Sequence, residues 1–291
     1  MNVKRIVPIL GLVLLAALVV IPGPAKGEMY VEGYIGGSFP PNAGSDFSTS
    51  HNGAVGRPGF RSETHSPKGI LDPAVIGGLK VGTWFVKEGF LGYNYPDWAK
   101  YLGFYIDFSY HRLDYGHQSL STVGRDVNFN TTAALGPGNS FQQALSDQMF
   151  SEGSAATLAF MFAFRYGFMP DSEVPFGRLQ PYVGVGPAIL FSSQNITIQS
   201  AGLVNRVFYP YTIKPGSQSS TDICLAVEAG LRYMALKNVS LDASFKYRYA
   251  QPSYTFDYTD SVAFGGGVGR SFTFKPTYNL IGFQIGAAYH F

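Results

Sequence analysis

From Val239 to Tyr249 the chain alternates without a break. Val239, Leu241, Ala243, Phe245, Tyr247 and Tyr249 are apolar or aromatic, while Ser240, Asp242, Ser244, Lys246 and Arg248 are polar or charged. Successive side chains of a strand point to opposite faces, so as a strand this run has one face with no charge and one with three. A slip of one residue would turn every charge to the apolar side. The register is therefore strongly specified. Its length, about ten residues, is what a tilted strand needs to cross a lipid bilayer.

The pattern recurs. Over Ile223–Ala235, Ile223, Leu225, Val227, Ala229, Leu231 and Tyr233 oppose Cys224, Ala226, Glu228, Gly230, Arg232 and Met234. Only Leu236, Lys237 and Asn238 separate this run from the previous one, which predicts a tight turn. Leu158, Phe160, Phe162, Phe164, Tyr166 and Phe168 form another apolar face, opposite Ala159, Met161, Ala163 and Arg165. Leu102–Tyr110 places Leu102, Phe104, Ile106, Phe108 and Tyr110 outward and Asp107 inward. Leu179–Phe191 places Val183, Val185, Ile189 and Phe191 outward, with Pro187 predicting a local bulge because it cannot donate to the ladder. Tyr30–Phe39 is a weaker strand with Glu32 inward. Val75–Phe85 is another, with Lys80, Ile76 and Trp84 on its inner side. The last run, Tyr278–Phe291, turns Ile281, Phe283, Ile285, Ala287, Tyr289 and Phe291 outward.

Eight such strands imply an all-β fold, an eight-stranded antiparallel transmembrane barrel. Closure removes the unpaired edge that lipid would not tolerate. The connections alternate. Long ones run over 40–74, 111–156, 192–222 and 250–277, short ones over 86–101, 169–178 and 236–238. That sidedness places four long loops outside the cell and both termini at the inner rim. The alternation of Tyr254–Tyr258 inside a long loop leaves a ten-stranded barrel open as an alternative.

The first residues read as a secretory signal. Lys4 and Arg5 precede an almost wholly apolar run, Ile6–Ile21, and Ala25-Lys26-Gly27 offers small residues before a cut ahead of Glu28. Two domains of the sequence follow: a cleaved signal peptide, 1–27, and a barrel, 28–291. Losing Lys4, Arg5 and Lys26 reduces 21 basic residues to 18 against 19 acidic ones, a net charge of −1. No basic patch for nucleic acid is left. Charged residues are only 14% of the chain and aromatics 15%, as suits a protein with a lipid-facing surface and aromatic girdles. Cys224 is the single cysteine, so no internal disulfide forms and no lipidated N-terminus is expected.

At this point a resemblance can be stated. Gly177–Gly186 (GRLQPYVGVG), Gly230-Leu231-Arg232-Tyr233, Asn238–Leu241 and Tyr247-Arg248-Tyr249 resemble strands five to seven of the OmpA-like superfamily of outer-membrane β-barrels, the generic outer-membrane protein β-barrel domain family. The terminal Phe291, with Tyr289 before it, resembles the signal read by the barrel-assembly machinery. The resemblance implies residence in the outer membrane of a Gram-negative-type bacterium, with outer-membrane lipid and that machinery as partners.

The inward face collects Glu32, Lys80, Asp107, Arg165, Glu228, Arg232, Asp242, Lys246 and Arg248. Four acids nearly balance five bases. An eight-stranded barrel is just wide enough to be filled by side chains. These residues are therefore expected to pair and fill the lumen, with inward glycines making room, rather than to line a selectivity filter. Ser109 and His111 share the inner face near the outer rim, a pair some lipid-modifying barrels use, but no third orienting acid accompanies them. His51, His65, His117 and His290 are scattered without metal-ligand spacing. Gly265–Gly269 lacks the lysine and helix of a phosphate loop. No catalytic, cofactor or metal site is expected. The long loops, including Val207-Phe208-Tyr209-Pro210-Tyr211, are the expected surface for a ligand that the residues do not name. A structural or surface-interaction barrel is the first reading, a small passive channel for minor or hydrophobic solutes the second, and an outer-membrane lipid hydrolase a remote third.

Overall fold

The computed structural model describes residues 28–291 except 53–59, 87–94, 128–139, 144–146, 205–206 and 260–268. The signal segment and Gly265–Val268 lie outside these. The strands in chain order are β1 (Glu28–Ser38), β2 (Phe47–Asn52), β3 (Phe60–Pro67), β4 (Ala74–Trp84), β5 (Leu102–Arg112), β6 (Tyr115–Val127), β7 (Ser140–Gln143), β8 (Gln148–Arg165), β9 (Leu179–Val204), β10 (Val207–Ile213), β11 (Ser217–Leu236), β12 (Val239–Ala250), β13 (Tyr254–Thr259), β14 (Gly269–Phe274) and β15 (Tyr278–His290). Eight of them close on themselves in the order β1-β4-β5-β8-β9-β11-β12-β15, and β15 pairs back to β1. Every ladder in this ring is antiparallel. The eight are the eight expected from alternation.

Their faces separate as the sequence dictates. Phe162, Val183, Val185, Ile223, Leu241, Phe283 and Ile285 stand exposed on the outside, while the charged alternates are buried inside. Tyr101, Tyr166 and Phe168 cluster below them: Tyr101 stacks on Tyr166 with ring centroids 5.8 Å apart, and Tyr166 meets Phe168 at 4.9 Å. This aromatic group marks the inner membrane boundary. Glu28 and Phe291, the first and last described residues, lie on that side, where the Phe291 N–H donates to the Met29 carbonyl at 2.9 Å. The β8–β9 turn is held by Asp171, whose carboxylate accepts the Val174 N–H at 2.8 Å and pairs with Arg178. The Val174 N–H first, then the Arg178 guanidinium, hold the exposed Asp171 carboxyl below the usual carboxylate range. Gly177 closes the turn at φ 125, a conformation L side chains rarely adopt.

Two sequence expectations need correction. Pro187 makes no bulge: β9 runs against β11 from Leu179 to Asn195 in one register, with Pro187 opposite Leu225 and pointing outward. Its missing N–H merely interrupts the β8 ladder, which resumes at Phe162↔Val185 in the same register. The four long connections, moreover, are not simply loops. β9 continues well past Phe191 to Val204 and turns back as β10, β8 begins at Gln148, and β2, β3 and β6 form an added antiparallel sheet beside β8. Tyr254–Thr259 is a strand but not a ninth barrel strand. Among the described residues it pairs only with β14, and it folds over the barrel as a separate hairpin.

A closed ladder has no edge from which unfolding can begin. Unheated protein in mild detergent should therefore migrate differently from boiled protein on a gel and give a β-type circular dichroism spectrum. Identical migration with a helical spectrum would contradict this architecture.

Candidate functional site

The register explains how the lumen is built. Starting at Gln284 and stepping strand by strand through Gly36, Ile76, His111, Ala155 and Ser192, the ladder reaches β11 at Ser220. Stepping the other way through Ser244, it reaches β11 at Gly230. The stagger is ten residues around the barrel, a little over one per strand. Residues at one height are therefore not ladder partners, and charges from distant strands meet across the axis.

All nine sequence-predicted lumen residues are inside, each 5% exposed or less. At mid-height, Lys80 Nζ lies 2.7 Å from Glu32 Oε1, 2.7 Å from Glu228 Oε1 and 3.8 Å from Asp242 Oδ1. Arg232 bridges Glu32 at 2.6 Å and Asp242 at 3.3 Å. Tyrosines complete the shell. Tyr105 OH donates to Glu228 Oε2 at 2.8 Å, and the Tyr182 hydroxyl lies 2.8 Å from both Glu228 Oε1 and Asp242 Oδ1. Above this, Asp107 Oδ2 accepts Lys246 Nζ at 2.6 Å and Arg248 Nη2 at 3.3 Å, and Asp107 Oδ1 accepts the Tyr34 hydroxyl at 2.5 Å.

The periplasmic end has its own closure. Arg165 lies between the Trp84 and Phe176 rings, 4.2 Å from each centroid, donates to Gln180 Oε1 at 3.0 Å and pairs with Glu28. Sequence reasoning missed Glu28, which stands 137 positions from Arg165 at the very start of β1. It is a fifth acid of the ion network, and it balances the network's five bases. Its only signal was parity: Glu28, Tyr30 and Glu32 share one face.

Inward glycines accommodate rings more than charges. A Cβ on Gly230 would sit 2.4 Å from the Tyr182 ring, one on Gly103 2.4 Å from Trp84, and one on Gly82 2.8 Å from Tyr30.

At the extracellular end, the β13–β14 hairpin lays Tyr254, Phe256, Phe272 and Phe274 into a buried aromatic cluster with Phe47 and Tyr115. Phe47 stacks on Phe272 with centroids 4.8 Å apart. The Tyr254 hydroxyl donates to Ser192 Oγ at 2.6 Å, and the Tyr258 hydroxyl donates to the Ser50 carbonyl at 3.0 Å. Gln194 Nε2 donates to the Tyr278 hydroxyl at 3.1 Å. Ser109 and His111 sit beneath this cap, fully buried on the inner face of β5.

An antiparallel eight-stranded barrel with an apolar exterior and a charged interior matches one family in sequence as well: the profile of the outer membrane protein beta-barrel domain covers residues 12–291. The chain belongs to that family. This outer-membrane barrel is also similar to solved structures. They include Neisserial surface protein A, with 13% identity over 90% of this chain and 97% of that one and a TM-score of 0.32. A major outer membrane protein from Thermus thermophilus has 13% identity over 89% of this chain and 99% of that one, with a TM-score of 0.37. The outer membrane protein AlkL has 15% identity over 92% of each chain, with a TM-score of 0.30. No curated protein matches the chain significantly.

Two further sequence expectations can be placed. Tyr289 and Phe291 point outward at the inner rim, both exposed, with their rings edge to face at 5.2 Å. Val207–Tyr211 is part of β10 and not an irregular loop; its side chains lie outside the described residues.

Proposed function

We propose that this outer-membrane protein is a sealed barrel whose activity resides on its extracellular β-structure and not in passage through the lumen. One observation carries the reading: the lumen is crossed by side chains at three heights. Arg165 with Trp84 and Phe176 blocks the inner end, the Lys80–Glu228 and Lys80–Glu32 bridges block the middle, and the aromatic hairpin covers the top. Ions passing through would have to break buried, mutually paired charges, each costing several kcal/mol to desolvate alone. The strands that continue beyond the barrel proper form a platform of the kind on which recognition surfaces are carried. The N-terminal segment 1–27 fits export ahead of this barrel, with Glu28 leading β1, and Tyr289 and Phe291 suit recognition by the assembly machinery. Outer-membrane lipid is then the partner of the outer face.

Conductance of the refolded protein in a planar bilayer tests the reading. No steady current is expected from the wild type. A reproducible conductance that disappears when Arg232 or Lys246 is replaced would favour a small channel instead.

A further inference from the structure

Between the ion network and the aromatic cap lies a level of the lumen whose polar side chains neither closure pairs. With the ten-residue stagger, Arg248 comes to the height of Ile76, Ser109 to His111, Thr157, Ala188 and Cys224. The bond from Arg248 to Asp107, on the strand that also bears Ser109, agrees with this placement. Four polar atoms here are buried with no hydrogen-bond partner among the described residues: Ser109 Oγ, His111 Nε2, Thr157 Oγ1 and Arg248 Nε. Their residues are 3% exposed or less. Buried polar groups are nearly always satisfied by protein, ordered water or an ion, so such a cluster marks a place where water or an ion completes the bonding.

The charge at this level points to the sign of that partner. Among the described residues, Asp107 is the only acid in hydrogen-bonding contact with Arg248, and it is shared with Lys246 at a shorter distance and with the Tyr34 hydroxyl. Glu228, the other acid near Lys246, is 3.7 Å from it and already holds Lys80 at 2.7 Å. Two bases thus lean on one carboxylate at the extracellular end of the network. The next inward acid above, Asp222, accepts the Ser220 hydroxyl at 2.6 Å, and the ion pair of Arg248 is with Asp107 instead. Small inward residues, Ala188 and Cys224, leave the walls short.

We propose that this level of the lumen binds a small monovalent anion, with Arg248 Nε–H as its charged donor and the Ser109 and Thr157 hydroxyls as further donors. The β13–β14 hairpin is the cover. Among the described residues it belongs to no barrel ladder, and its Tyr254 and Tyr258 hydroxyls bond Ser192 and the Ser50 carbonyl. The site needs no conduction, because the ion network forms its floor.

Bromide is the probe. Crystals of the intact barrel soaked in sodium bromide should show an anomalous peak in contact with Arg248 Nε, and crystals of Arg248→Gln should show none there. In detergent, bromide replacing gluconate at fixed ionic strength should raise the unfolding temperature of the wild type and leave that of Arg248→Gln unchanged. Should Arg248→Gln fail to fold, as judged by heat-modifiable migration, the Ser109→Ala/Thr157→Val pair is expected to lower bromide occupancy several-fold in the same crystals. Ordered water alone beside Arg248 in the bromide-soaked wild type overturns the proposal. So does an equal bromide response in wild type and variant.

Discussion

Glu228→Ala is expected to destabilise the folded barrel by about 3–5 kcal/mol, the usual cost of removing one partner from a buried ion pair. The carboxylate is shared. Lys80 Nζ approaches it at 2.7 Å, Lys246 at 3.7 Å, and the Tyr105 and Tyr182 hydroxyls complete its shell. Alanine would leave Lys80 to Glu32 and Asp242, both already paired with Arg232, so the network would carry one unbalanced buried base. Much of the cost is that residual charge. Replacing Glu228 and Arg232 together restores the balance and should cost less than the sum of the single changes, while opening space for an ionic leak. Urea titration of the refolded protein in lipid vesicles measures all three variants. A loss below about 1 kcal/mol for Glu228→Ala would mean that the lumen is hydrated enough to solvate Lys80, and the sealed barrel would be wrong.

The outer face should respond to charge in the opposite sense. Phe162 is 62% exposed, opposite Phe104 on β5, and four residues above Tyr166 of the inner aromatic group. Four residues of tilted strand carry it roughly 10 Å into an apolar band about 25 Å tall, near the midplane. Phe162→Arg should therefore cost about 2–4 kcal/mol in lipid. Phe162→Ala should cost much less, since lipid refills the space. The same vesicle titration applies, and an arginine tolerated as well as alanine would place this site outside the hydrocarbon.

The two expectations rest on information of different kinds. Which residues face lipid and which face the lumen was written in the chain, because the side-chain period of a strand is two and every barrel strand is half in each environment. Hence the nine lumen charges were legible from parity alone, as was the inward placement of Ile76 and Trp84 on the weakest strand. The same parity showed strands in the long connections, as at Tyr254–Tyr258, but could not show their partners. There the apolar face is buried against another segment and not against lipid. Phe256 needs Phe272, and Phe47 needs Phe272 and Phe274, and no local period names those contacts.

Pairing across the lumen was likewise out of reach. Alternation fixes a residue's face but not its height, and height depends on the stagger that closes the ring. Only with ten residues of stagger does Arg248 reach Asp107, Arg232 reach Glu32 across 200 positions, and Glu28 meet Arg165. The sequence by itself thus determined a membrane barrel and the two sides of its wall, because each strand reports its environment residue by residue. The tertiary structure decided the ion network, the hairpin cap and the level of unpaired polar groups between them. Each is made by residues far apart in the chain, which only closure of the cylinder brings to the same height.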